Sequence, residues 1–147
     1  MTIVVFDGKK MASDSLMIDG SRKSKKPFCK MYETEKYLIG AAGAIGQVQR
    51  IIRWIMGAEE ELPHIPDNEE IMYEVMLVDR KTKDVFVFEG RTFDMIPSDK
   101  ITAIGSGSPY AYGALSLMGR KPCAVKAVKA AIDCDMYCGG DIKTLKA

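Results

Sequence analysis

Histidine is almost missing from this 147-residue chain: His64 is the only one. A serine–histidine–aspartate triad would need it as base. It sits between Pro63 and Pro66 in a polar connection, which speaks against that chemistry. The four cysteines, at 29, 123, 134 and 138, form no Cys-x-x-Cys pair, and with one histidine they match none of the usual zinc spacings. No metal or other cofactor is expected. No run of about 18 apolar residues occurs, so no membrane-spanning helix is expected. The opening, MTIVVFDGKK, lacks the basic and apolar regions of a signal peptide. Free thiols in a reducing, cytoplasmic compartment follow as the expectation. Net charge is only +1, which gives no global pull toward nucleic acid or a membrane surface. No Walker sequence is present. Gly40-Ala-Ala-Gly43-Ala-Ile-Gly46 lacks the paired G-x-G of a dinucleotide fingerprint, and Gly105-Ser106-Gly107-Ser108 misplaces the glycines of a nucleophile elbow.

What is present is ample apolar material. Hydrophobic residues make up 47% of the chain, and the length suits one domain over 1–147. TIVVF at 2–6 is β-branched and aromatic, and Asp7-Gly8 is a turn signal, so 10–17 reads as a returning strand. Residues 20–27 are polar and read as a loop. Its basic run, Arg22-Lys23-Ser24-Lys25-Lys26, is by default a solvated face, and otherwise a rim that attracts acidic substrates or a partner. Strands are predicted over 28–32 and 37–42. Ile45, Val48, Ile51, Ile52 and Ile55 recur at helical spacing. A second hairpin, 71–79 and 84–89, crosses Arg80-Lys81-Thr82-Lys83, and 100–105 is a further strand. Helical patterns return over 110–118 and from Pro122 to about Tyr137, with a short strand at 142–145. Hairpins dominate, so the sheets should be largely antiparallel. Helices grouped between blocks of strands favour an α+β, αββα layering over an alternating parallel sheet.

With histidine and metal set aside, a hydrolase built on this chain needs another base. One candidate is its own amino terminus. An α-amine has a reference pKa of about 7.7–8.0 and can take a proton from an adjacent hydroxyl near neutral pH. Thr2 follows Met1, which cells commonly remove before so small a residue.

Several blocks then become specific. Ala12-Ser13-Asp14-Ser15 resembles the A-A-D-S segment of proteasome β-subunits. In that family a lysine follows the aspartate by sixteen positions, where this chain has Lys30. Tyr37–Gly43 is similar to the family strand ending in A-G-G or S-G-S. Ile104-Gly-Ser-Gly-Ser-Pro-Tyr-Ala-Tyr-Gly113 is similar to V-G-S-G-S-x-Y-A-Y-G, and Asp135-Met-Tyr-Cys-Gly-Gly140 to D-x-Y-S-G-G. The blocks keep family order across nearly the whole chain. The short length resembles the bacterial HslV peptidase more than a eukaryotic subunit.

The resemblance implies an N-terminal nucleophile hydrolase: a four-layer αββα sandwich and a threonine-type endopeptidase acting on polypeptides. It implies Thr2 as nucleophile after Met1 is lost, Lys30 beside its hydroxyl, and Asp14 holding Lys30. Ser106 and Asp135 would orient the amine, the Gly43 N–H would stabilise the oxyanion, and Cys138 would stand where serine is usual. Met17, Phe28, Ala41 and Ile45 would form an apolar specificity pocket, with substrate extended near Ile18. A homo-oligomeric ring and an ATP-dependent unfoldase are the implied partners.

Two features bear on these expectations. The first hairpin allows two registers. A two-residue turn at Asp7-Gly8 sets Thr2 against Ser13, and a four-residue loop over 7–10 moves Thr2 into the family's nucleophile place. The segment after the first helix is too short for the family's second helix, so the first helical layer should be reduced. A catalytically inactive scaffold or interaction subunit is the alternative function.

Overall fold

The computed structural model describes residues 2–147, so the expected loss of Met1 concerns a residue outside those described. The first part of the chain comprises β1 (Val4–Phe6), β2 (Lys10–Ser13), β3 (Ile18–Asp19), β4 (Arg22–Lys23), β5 (Met31–Glu33), β6 (Tyr37–Gly43) and helix α1 (Ile45–Ile55). The second comprises β7 (Tyr73–Asp79), β8 (Val85–Glu89), β9 (Asp94–Ser98), β10 (Thr102–Ile104), helices α2 (Ser108–Met118) and α3 (Ala124–Cys134), and β11 (Lys143–Lys146). One antiparallel sheet runs β10-β1-β2-β11 and another β5-β6-β7-β8-β9, with β3 and β4 as a separate small hairpin.

Strand β1 shows why the layers stack as they do. Its residues are apolar without alternation because both of its faces are covered. Ile3 and Val5 pack with Ala12 and Ala103 against Ala111, Leu115, Ala127 and Val128 of α2 and α3. Val4 and Phe6 face the other way, onto Leu38, Met76 and Val78 of the second sheet. The far side of that sheet, Ile39, Val75 and Leu77, packs against Val48, Ile51 and Ile52 of α1. The order is therefore α2/α3, sheet, sheet, α1: an α+β, αββα sandwich of antiparallel sheets with one helix in its first helical layer. Gly40 lets the sheets close, since a Cβ there would lie 2.5 Å from Val4 Cγ1.

The first hairpin takes the register of the four-residue loop. Phe6 pairs with Met11 and Val4 with Ser13, and Asp14 N donates to Ile3 O (3.3 Å). Asp7 holds the turn: its Oδ1 accepts from the amides of Lys9 and Lys10, and its Oδ2 from Ala124 N at the start of α3.

Other expectations shift at their edges. The strand expected over 10–17 ends at Ser13, where the carboxylate of Asp14 takes up backbone donors. The polar 20–27 stretch contains half of the β3–β4 hairpin. β9 was not anticipated: every residue of it is exposed and it carries Pro97, which suits only a sheet edge. The last helix stops at Cys134, because Asp135 turns to extended backbone. In place of a second helix after α1, a connection is pinned by buried Gln47, whose side chain bonds Glu70 O (2.8 Å) and Met72 N (2.9 Å).

Candidate active site

The site forms where the open end of the first hairpin meets the C-terminal end of β6. Asp14, at the close of β2, is fully buried. Its Oδ1 accepts from Lys30 Nζ (2.7 Å), Thr2 Oγ1 (2.9 Å) and Ile3 N (3.2 Å), and its Oδ2 from Gly139 N (3.0 Å). One carboxylate thus ties the start of β1, the residue before β5 and the segment after α3. Such charge-assisted bonds are about twice as strong as neutral ones. Burial pulls the Lys30 ammonium below the usual lysine range, against the opposing charge and hydrogen bond of Asp14. Thr2 Oγ1 and Lys30 Nζ share one acceptor atom, so they lie no further apart than those two bonds laid end to end.

A second chain of bonds reaches Thr2 from α2 and α3. Thr2 N donates to Ser106 Oγ (3.3 Å), and Thr2 O accepts from Gly107 N (3.2 Å). Ser106 in turn lies close enough to Asp135 to favour its ionised form. Burial works against the charge of Asp135, but the Tyr137 amide, Ser106 and Cys138 hold its carboxyl below the usual range. The Cys138 thiol donates to Asp135 Oδ2 (3.4 Å). Burial, then the charges of Asp14 and Asp135, push that thiol up to about 12, so it stays protonated and serves as a donor at neutral pH. Gly105, at φ +100°, lets the loop approach Thr2: a Cβ there would lie 2.2 Å from Thr2 O.

Gly43 ends β6 at φ +109°, where a Cβ would lie 2.2 Å from Met72 O. Strand alternation places its N–H. Ala44 N bonds Met72 O across to β7, while Ala41 N bonds Lys30 O on the opposite edge. The Gly43 N–H shares the edge of Ala41, past the end of β5 and toward the cleft.

Thr2, Lys30 and Gly43 line one cleft of about 250 Å³. Met17, Ile18, Phe28, Ala41 and Ile45 line it as well. Of the residues singled out from sequence, Asp14, Ser106, Asp135 and Cys138 lie behind or beside the cleft and reach it through Thr2 and Lys30. Sequence reasoning missed other parts of its wall: Gly20, Cys29, Tyr32, Val48, Gln49 and Tyr137. Val48 and Gln49 follow from Ile45 by helical spacing. Tyr137 could have been found through its place between Asp135 and Cys138. The others carry no signal short of the fold. No group of metal-binding side chains occurs among the described residues.

Layer order and strand order define a sandwich of the HslV/proteasome type. Solved structures carry that assignment. BPH of Thiobacillus denitrificans matches with a TM-score of 0.74 at 19% identity, over 100% of this chain and 97% of its own. The same protein in complex with epoxomicin matches at 0.72 and 19%, over 100% and 98%. Eukaryotic HslV from Trypanosoma brucei matches at 0.68 and 18%, over 99% of each chain. At such identities the likeness establishes the fold. No protein-family model and no curated protein matches the chain.

Proposed function

We propose that the chain is a threonine-type peptidase subunit whose nucleophile is Thr2, freed by removal of Met1. One observation carries the reading: Thr2 Oγ1 and Lys30 Nζ meet on the same oxygen of buried Asp14, while Thr2 N faces Ser106. A freed α-amine of about 7.7–8.0 takes the hydroxyl proton, and the oxygen attacks the substrate carbonyl. The Lys30 charge favours the ionised oxygen, and Asp14 holds Lys30 in place. The N–H of Gly43 stabilises the oxyanion. The amine then returns the proton to the leaving nitrogen. The C–N bond breaks, and an ester on Thr2 Oγ1 remains. Water, deprotonated by the same amine, hydrolyses the ester and regenerates the threonine. Ser106 and Asp135 orient the amine, and the protonated Cys138 thiol orients Asp135.

The cleft walls set specificity. Met17, Phe28, Ala41 and Ile45 are apolar, which favours a large apolar residue before the cut. The substrate lies extended, as an added strand between Ile18 and the end of β6. In this reading the subunits form a homo-oligomeric ring that hides the cleft, fed by an ATP-driven unfoldase. Leu117 on α2 is 90% exposed and Met136 72%, apolar surface of the kind a neighbouring subunit covers.

Intact-mass measurement with epoxomicin, the compound bound in one neighbouring structure, tests the chemistry. The expected result is loss of Met1 and one adduct on Thr2, abolished in Lys30→Ala with the circular dichroism unchanged. A mass retaining Met1 with no adduct refutes the peptidase and leaves a scaffold subunit. Native mass spectrometry tests the ring, and a monodisperse monomer would exclude it.

A further inference from the structure

The basic run that the catalytic chemistry leaves unused lies at the mouth of the cleft. Residues on both sides of it line the cavity: Met17, Ile18 and Gly20 before, Phe28 and Cys29 after. The run is anchored at both ends, by Ser24 N on Met17 O (2.8 Å) and by Phe28 N on Ser15 O (2.9 Å). Within it, Ile18 pairs with Lys23 and Asp19 with Arg22. Arg22, Lys23, Lys25 and Lys26 are all exposed. Among the described residues none of these four enters an ion pair, whereas Arg50, Arg53 and Arg80 each face a glutamate. Four cations and one carboxylate, Asp19, thus crowd the β3–β4 hairpin and the loop that follows it, in a chain whose net charge is +1, so the remainder is net acidic. Among the described residues, no aspartate or glutamate lines the cleft. The opposite wall begins at α1, which has no acidic residue in its first turn.

We infer that the β3–β4 hairpin selects polypeptides bearing acidic residues a few positions before the cut bond. This rests on the peptidase reading above and names the substrate class of that same site. A peptide added to the free edge of β3 lies one strand spacing, about 4.8 Å, from β3 and two from β4. Lysine and arginine side chains on β4 span that gap. Their field extends roughly 8–10 Å at physiological salt, far enough to draw in an acidic segment before it docks. The apolar pocket then reads the residue at the cut, and the hairpin reads the charge upstream. The two selections act at different places and do not compete.

The test uses two fluorescent peptides with the same large apolar residue before the cut, one with two aspartates upstream and one with the isosteric asparagines. Anisotropy gives binding and fluorescence release gives turnover, on the full chain and on the variant Arg22→Gln, Lys23→Gln, Lys25→Gln, Lys26→Gln. The aspartate peptide should bind the wild type about tenfold more tightly at low salt, with the preference lost at about 1 M salt and in the variant. Equal affinity for the two peptides, or a preference that survives in the variant, overturns the inference whether or not either peptide is cut. Binding of the aspartate peptide without turnover of either supports charge recognition and refutes the peptidase reading.

Discussion

Asp14 should matter more to stability than the lysine it holds, and the hydrogen-bond pattern says by how much. Four donors converge on this fully buried carboxylate: Lys30 Nζ, Thr2 Oγ1 and the amides of Ile3 and Gly139. Asp14→Asn keeps the shape but replaces one acceptor oxygen with an NH2. Turned one way, the NH2 meets the Gly139 N–H. Turned the other, it meets three donors at once. A buried donor is left unsatisfied in either case, at about 1–3 kcal/mol. The Lys30 ammonium also loses the carboxylate it faces, and removing one partner of a buried pair costs about 3–5 kcal/mol. These two penalties overlap, so the expected loss is about 3–5 kcal/mol in all. Lys30→Met fills the space of the lysine stem and leaves Asp14 with three donors. Asp14 loses its counter-ion, but the hydroxyl of Thr2 and the amides of Ile3 and Gly139 still bond the carboxylate and reduce that penalty to about the worth of the lost charge-assisted bond, about 1.5–3 kcal/mol. Urea unfolding at neutral pH decides the ranking. With a slope near 2 kcal/mol/M, the two midpoints should differ by about 1 M, with Asp14→Asn the lower. If Lys30→Met is as unstable as Asp14→Asn, the carboxylate is not what binds these three segments together.

Three further outcomes follow from the same contacts. The folded Asp135 carboxyl titrates below its ordinary 3.8, so its contribution is complete above that value and is lost as pH falls through the folded one. The stability gap between wild type and Asp135→Asn should therefore hold above the ordinary value and close as pH falls below it in urea titrations, and a gap independent of pH would contradict this. Cys138 is buried, with its thiol pushed up to about 12, whereas Cys29 and Cys134 are exposed. Brief iodoacetamide treatment followed by peptide mapping should modify those two and spare Cys138, and comparable labelling of Cys138 would show that its burial is wrong. Gly40→Ala should cost about 1–3 kcal/mol, because its Cβ would meet Val4 Cγ1 at 2.5 Å between the sheets. Adding Val4→Ala should recover part of that loss, and strictly additive penalties in thermal melts would refute the clash.

Much of the sandwich was legible because burial on both faces leaves a plain mark. Residues 3–6 and 75–78 are apolar runs without alternation, which central strands between two packed layers require. Local chemistry also marked the turns: Asp79 accepts from the amides of Lys81 and Thr82 at the turn expected over 80–83. β9 escaped notice because an exposed edge strand with proline buries nothing and so leaves no pattern. The β3–β4 hairpin escaped because two-residue strands in a polar stretch are indistinguishable from a loop. Cys29 and Gly20 could not be placed in the cleft by any spacing, since what sets them there is the way that hairpin folds back.

By itself, the amino-acid order determined the layers, the separation of Asp14 from Lys30, and the glycines that end β6 and open α2. It left the first hairpin with two registers of equal local merit, because Asp7-Gly8 can turn the chain in either. The choice was made from outside the hairpin: β10 pairs along the other edge of β1, and the amide of Ala124 closes on Asp7. A strand paired on both edges and faced by a helix cannot slide without breaking all three contacts at once. That tertiary constraint sets the hydroxyl of Thr2 on the same carboxylate oxygen as the ammonium of Lys30.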